Sequence, residues 1–219
     1  MKLAIGRIVL FAAAALVGAV PARAVILAPG ATVALPGTTV AAEPQLAGLI
    51  QVDELIDFSF VGDDAGGLIT GHVQQRVVLA VDGTIDFYWR VFVDSESSGA
   101  LGSFRFGEFF APEYDADYRT DGLGTVAPSS ATRFSGVFDS YVNFNFAGGL
   151  QPGDSSYFLL MDTTATAYAK TAIFDVTNVG QTHISGLFDA YGPAEAVPEP
   201  STLALLGIGI VGLARKRRA

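Results

Sequence analysis

The chain has 219 residues, half of them hydrophobic and 16% charged, with no cysteine; that excludes wholesale disorder, disulfide stapling, zinc–thiolate centres and cysteine nucleophiles. Acidic side chains outnumber basic ones 22 to 13, and most of the cations sit at the two ends. Between Val25 and Val197 only six basic residues stand against 21 acidic ones, a surface that repels phosphate backbones and excludes nucleic acid as a partner, while metal cations or polysaccharides cross-linked by them suit it better.

Residues 1–24 have the layout of a secretory signal. Lys2 and Arg7 supply a positive start, Ile8 to Val20 is an apolar run of 13 residues, and Ala22-Arg23-Ala24 places small residues where signal peptidase needs them. The run is shorter than the about 20 apolar residues of a membrane span. Cleavage is therefore expected after Ala24. Residues 25–48 carry Pro29, Pro36 and Pro44 and one charge, Glu43, which predicts an extended arm rather than a helix.

From residue 49 to 192 a period of two dominates. Thr84 to Val93 puts Ile85, Phe87, Trp89, Val91 and Val93 on one face and Asp86, Tyr88, Arg90 and Phe92 on the other. Arg133 to Phe146 reads the same way, with Phe134, Phe138, Val142, Phe144 and Phe146 inward. Asp82-Gly83 is a strong hairpin signal, and Gly66-Gly67, Gly148-Gly149, Pro152-Gly153-Asp154 and Asn178 to Gly180 mark further turns. The expected fold class is all-β: an antiparallel β-sandwich of seven or more strands, with the jelly roll as one form, flanked by an N-terminal signal helix and a C-terminal hydrophobic helix. The 16 Phe, seven Tyr and single Trp are its expected filling. One echo stands out: Ser135 to Tyr141 (SGVFDSY) recurs as Ser185 to Tyr191 (SGLFDAY), which reads as an edge strand with a bend.

Catalytic motifs are not found. His72 and His183 lie in strand-like contexts without a nucleophile elbow, and the abundance of carboxylates makes any one pair uninformative about glycoside hydrolysis. Phosphate-binding loops and dinucleotide fingerprints are not found either. Asp115, Asp117 and Asp121 offer hard oxygens to Ca²⁺ in a stretch closed by Gly122. Against an EF-hand, however, Arg119 stands where an acid or amide belongs, Thr120 replaces the turn glycine and Val126 the closing Glu, so a solvated acidic loop is the simpler expectation. No cofactor or catalytic residue is assigned. Tyr88, Tyr114, Tyr118 and Tyr141 are candidates for an outward sugar-stacking surface.

The last residues fall into three parts. Residues 193–200 form a linker ending in Pro198-Glu199-Pro200, which proline geometry keeps extended. Residues 201–219 follow, with an apolar stretch from Leu203 to Ala214 and then Arg215, Lys216, Arg217 and Arg218, which orient a membrane segment with its basic end in the cytoplasm. From Ser201 to Ala214 the apolar stretch is marginal for a hydrocarbon core of about 30 Å. Motif, span and basic terminus in this order resemble the PEP-CTERM sorting signal over Val197 to Arg218. The resemblance implies recognition of Pro198, Glu199 and Pro200 by an exosortase, a membrane transpeptidase of Gram-negative, exopolysaccharide-making bacteria, and removal of the span. The expected product is an exported cell-surface or exopolysaccharide-matrix protein, membrane-held through its tail before processing, that serves as a structural or glycan- or ion-binding module. A secreted hydrolase of matrix polysaccharide is the alternative.

Overall fold

The computed structural model describes residues 25–111 and 113–195. The expected signal helix, the Pro-Glu-Pro motif and the hydrophobic tail lie outside the described residues. Among the described residues no helix is long and apolar enough to cross a membrane, and helical structure is confined to two short 3-10 turns, Pro44–Leu46 and Gly136–Phe138.

Among the described residues twelve strands make two six-stranded sheets. In chain order they are β1 (Val25–Ile26), β2 (Thr32–Ala34), β3 (Gly48–Val61), β4 (Leu68–Ala80), β5 (Ile85–Val93), β6 (Leu101–Gly107), β7 (Asp115–Arg119), β8 (Ser130–Arg133), β9 (Val142–Leu150), β10 (Phe158–Asp162), β11 (Tyr168–Asn178) and β12 (Phe188–Pro193). The first sheet runs β1-β7-β10-β5-β4-β3 and the second β12-β11-β6-β9-β8-β2, with the paired strands antiparallel throughout. The chain alternates between sheets from β5 to β8, then returns to insert β9 between β6 and β8 and β10 between β5 and β7. That interleaving is of the Greek-key kind on which jelly rolls are built.

Alternation explains the sandwich. Ile85, Phe87, Trp89, Val91 and Val93 all lie in the core, as their spacing predicts. Trp89 stacks on Phe106 of the opposing sheet with ring centres 4.8 Å apart and meets Phe104 at 5.6 Å, so the aromatic filling bridges the two sheets. Gly83 takes φ +89° in the tight β4–β5 turn, a conformation that suits glycine.

Three expectations change. Arg133 to Phe146 is not one strand: β8 stops at Arg133, and the chain detours through the Gly136–Phe138 turn before β9. Phe134 and Phe138 are therefore exposed, while Val142, Phe144 and Phe146 are buried as expected. Gly148-Gly149 is no turn but an irregularity inside β9, where the register with β6 shifts and Gly149 takes φ +71°. Finally, Asp86 and Tyr88 point away from the core yet are buried. Residues 36–47 cover Tyr88, with Leu46 packed among Val78, Tyr88, Phe158 and Leu160 and the Tyr88 hydroxyl donating to the Leu46 carbonyl at 3.3 Å, while Asp86 accepts from the Thr163 amide at 3.4 Å.

Candidate ligand groove

The outer face of the second sheet is partly open, with Arg105 half-buried and Asn143 and Asp175 buried at the bottom of a groove, and its residues follow from register. Arg105 on β6 lies opposite Asp175 on β11 and Asn143 on β9, and Asn143 lies opposite Thr132 on β8. These form a polar row across four strands. Arg105 Nε and Nη2 donate to the two Asp175 carboxylate oxygens at 2.5 and 2.6 Å, a forked geometry that fixes the guanidinium plane. The next row holds Ile173 opposite Gly107. A side chain on Gly107 would begin 2.1 Å from the Tyr141 ring, so the absence of one lets that ring lie against the sheet.

Over this floor stand apolar walls. The detour between β8 and β9 supplies Phe134, Phe138 and Tyr141, with the last two rings edge-to-face at 5.9 Å. Leu187, just before β12, closes the other side. The resulting open groove has a volume of about 310 Å³. Phe138 and Leu187 are 58% and 67% exposed, enough to offer flat apolar surface to a ligand. Apolar walls over a few placed polar groups are the usual make-up of a small-molecule site. Beyond the groove the same face continues with hydroxyls and amides: Asn145 Nδ2 donates to Ser130 Oγ and Thr132 Oγ1, each at 3.3 Å.

The repeated septet now has a place. Phe138 and Tyr141 come from its first copy and Leu187 from its second, so the echo marks the two banks of one groove; the second copy also runs into β12, an edge strand as expected, while the first does not. Arg105, Asn143 and Asp175 carry no sequence signal as a group, since they become neighbours only through non-sequential strand pairing.

The other anticipated site residues fare differently. Of the four tyrosines offered as an outward surface, Tyr141 lines the groove, Tyr118 is half-buried, and Tyr88 and Tyr114 are buried. Burial pushes the phenol of each of the two buried tyrosines up. Tyr114 donates to the Phe109 carbonyl and lies under Arg133. His72 stacks on Phe92 at 4.2 Å, and His183 lies 3.3 Å from Asp64.

The proposed calcium ligands do not assemble. Asp121 is taken by Arg119 at 2.6 Å and by the Val40 amide at 2.8 Å. Burial opposes its charge, but these bonds prevail and hold the carboxyl below its usual range. Asp117 accepts from the Gly37 and Tyr118 amides, while burial pushes its carboxyl up to about 6. Asp115 is pushed up to about 7, by burial first and then by the charges of Asp162, Glu43, Asp117 and Glu113. Among the described residues no three His, Cys, Asp or Glu side chains are placed to hold a metal ion.

Known proteins add to one end of the chain. The family model of the PEP-CTERM protein-sorting motif matches residues 196–218. The chain carries a PEP-CTERM sorting motif. It is thus an exported protein sorted by an exosortase, and the PEP-CTERM motif implies transient membrane anchoring before cleavage. No curated protein and no solved structure matches the chain. The PEP-CTERM match does not extend to the sandwich.

Proposed function

We propose that this PEP-CTERM protein is a glycan-binding module of the cell surface or exopolysaccharide matrix, and that the groove on the second sheet is its binding site. Signal peptidase cuts after Ala24, within the small-x-small pattern of Ala22 and Ala24. Arg215, Lys216, Arg217 and Arg218 then hold the tail at the cytoplasmic side until exosortase acts at Pro198, Glu199 and Pro200. Freed of its span, the sandwich meets polysaccharide.

The observation that carries this reading is the pairing of exposed rings with a polar row in one groove. A sugar ring presents C–H groups on its faces and hydroxyls around its edge. Phe138 and Tyr141 suit the first, Arg105 and Asn143 the second. The groove's lining includes one carboxylate, Asp175, and Arg105 occupies both its oxygens. Glycoside hydrolysis uses two carboxyl groups across the scissile bond, so this composition favours binding over turnover.

The test is retention on the host's own polysaccharide, comparing the full chain in detergent with Tyr141→Ala and Leu187→Ala. Loss of retention with an unchanged melting temperature supports the groove. Full retention by both variants places binding elsewhere, and release of reducing ends would favour the hydrolase. Processing is read separately, by mass spectrometry of surface-exposed protein; material that retains residues 201–219 contradicts tail removal.

A further inference from the structure

The outer face of the first sheet, part of which lies under residues 36–47, holds a different arrangement. Asp162 on β10 lies directly opposite Asp115 on β7. Its other neighbour is Asp86 on β5, because Met161 pairs with Phe87 one position before. Three aspartates thus stand side by side on adjacent strands and one face, where like charges directly opposite destabilise a sheet. Asp86 is 0% exposed. Its Oδ1 accepts from the Thr163 amide at 3.4 Å, but its Oδ2 is buried with no hydrogen-bond donor. Two facing carboxylates have no donor to offer each other; a single proton between them supplies one.

We propose that the Asp86–Asp162 pair is a proton-held latch, which shares a proton and keeps residues 36–47 seated at acid pH, and ionises and loosens that segment as the surroundings turn alkaline. The groups facing the pair come from every side. Asp82 approaches from the β4–β5 turn, Asp115 from β7 and Glu43 and Gln45 from the covering segment. Tyr88 lies two residues along β5, and Val78 opposes Asp86 from β4. Two cations of this sheet are already paired: Arg119 with Asp121, its guanidinium 6.0 Å from the Tyr88 ring, and Arg76 with Asp53.

The energetics run the same way. Asp86 is pushed up to about 8, by burial first and by the Asp162 charge second. Asp162 is also raised, chiefly by burial, with the Asp86 contact opposing. A carboxyl whose folded value exceeds its unfolded 3.8 keeps its proton while the unfolded chain has lost it. Its stabilisation is full below that value and is lost as pH rises through about 8. Between pH 5 and 8 stability therefore falls with rising pH.

The pair meets the covering segment through Gln45, whose side chain hydrogen-bonds Asp162, and two further contacts of that segment go to other aspartates. The Gly37 amide donates to Asp117 and the Val40 amide to Asp121, so both report whether the segment is seated. The test is thermal unfolding of the full chain in non-ionic detergent at pH 5, 6, 7 and 8.5, with hydrogen exchange at those two amides corrected for intrinsic rate. The melting temperature is expected to drop by at least about 5 °C from pH 5 to 8.5, with protection at Gly37 and Val40 lost first. Asp86→Asn, neutral at every pH, should reduce that dependence to the share that Asp115 and Asp117 supply and raise the melting temperature at pH 8.5; an unreduced dependence overturns the proposal. A pH-independent wild type overturns the proposal without touching the groove. So does recovery of the pH 8.5 melting temperature by 5 mM calcium, which would make the pair a metal site. Should Asp86→Asn not fold, Asp162→Asn, the other half of the pair, is read in the same way.

Discussion

Replacing Gly107 with alanine tests how the groove is built. The new Cβ would lie 2.1 Å from Tyr141 Cε1 and 2.3 Å from Cδ1, so ring and methyl cannot share the space. The obstacle is a ring at the surface end of a side chain rather than backbone, and Tyr141 is only half-buried. The ring is therefore expected to swing outward while β6 keeps its course. Overpacking a tight core costs about 1–3 kcal/mol, and an outward escape route puts this case near about 1 kcal/mol. In a Tyr141→Ala background the same change has nothing to strike and should cost only a few tenths. Urea unfolding of the wild type, both single variants and the double variant gives the coupling, expected at about 0.5–1 kcal/mol and favourable to the double variant. Glycan retention should fall in Gly107→Ala as far as in Tyr141→Ala, because both lose the seated ring. Strictly additive costs, or a Gly107→Ala protein that binds like the wild type, would refute the claim that glycine seats Tyr141.

Other consequences can be measured in the same way. Trp89→Ala removes the ring that stacks on Phe106 and meets Phe104 and Phe109, and should cost about 3–5 kcal/mol in urea unfolding. Asp175→Asn leaves Arg105 without its forked acceptor in a half-sheltered place and should cost about 2 kcal/mol, between exposed and buried pairs; Arg105→Met with Asp175→Leu should recover most of it. Glu199→Ala should leave residues 201–219 on the protein recovered from cell membranes, read by intact mass. Reversing Arg215, Lys216, Arg217 and Arg218 to glutamate should reduce delivery to the surface, read by fractionation.

The sandwich was legible because alternation is local. Nine consecutive residues from Ile85 to Val93 declare a buried face whatever they pair with, and the structure puts the five predicted side chains in the core. The PEP-CTERM motif was legible for a similar reason, since motif, span and basic end are contiguous. Phe134 and Phe138 misled because parity holds only within an unbroken strand, and the detour at Gly136–Phe138 resets it. Asp86 and Tyr88 were read as an outward face; outward from the sheet they are, but both are buried, Tyr88 under Leu46 of residues 36–47. What covers an outer face depends on a segment some forty residues earlier, and no window around β5 contains it. The groove needed the same kind of distant information. Its floor joins β6, β9 and β11, which pairing rather than sequence order makes neighbours, and only the repeated septet hinted that two remote stretches share a task.

Every sandwich has two outer faces, and here the chain treats them oppositely. On the first sheet, residues 36–47 lie over part of the face, with Leu46 packed on Tyr88 and Phe158, and leave beside Arg76 and Arg119 an open pocket of about 390 Å³ that gathers no exposed aromatic ring. On the second, the chain between β8 and β9 stands up beside the sheet instead of lying across it, because Gly136 takes φ +68° and turns Phe138 out to the groove's edge. A covering segment over that row would have hidden Arg105, which is half-buried; a plain hairpin would have left the row without walls. The detour does neither, and so concentrates exposed aromatic surface where the hydrogen-bonding row lies. Exposed rings cost a protein solubility unless something is gained at that surface. Their gathering beside a polar row is the reason to look for the ligand there.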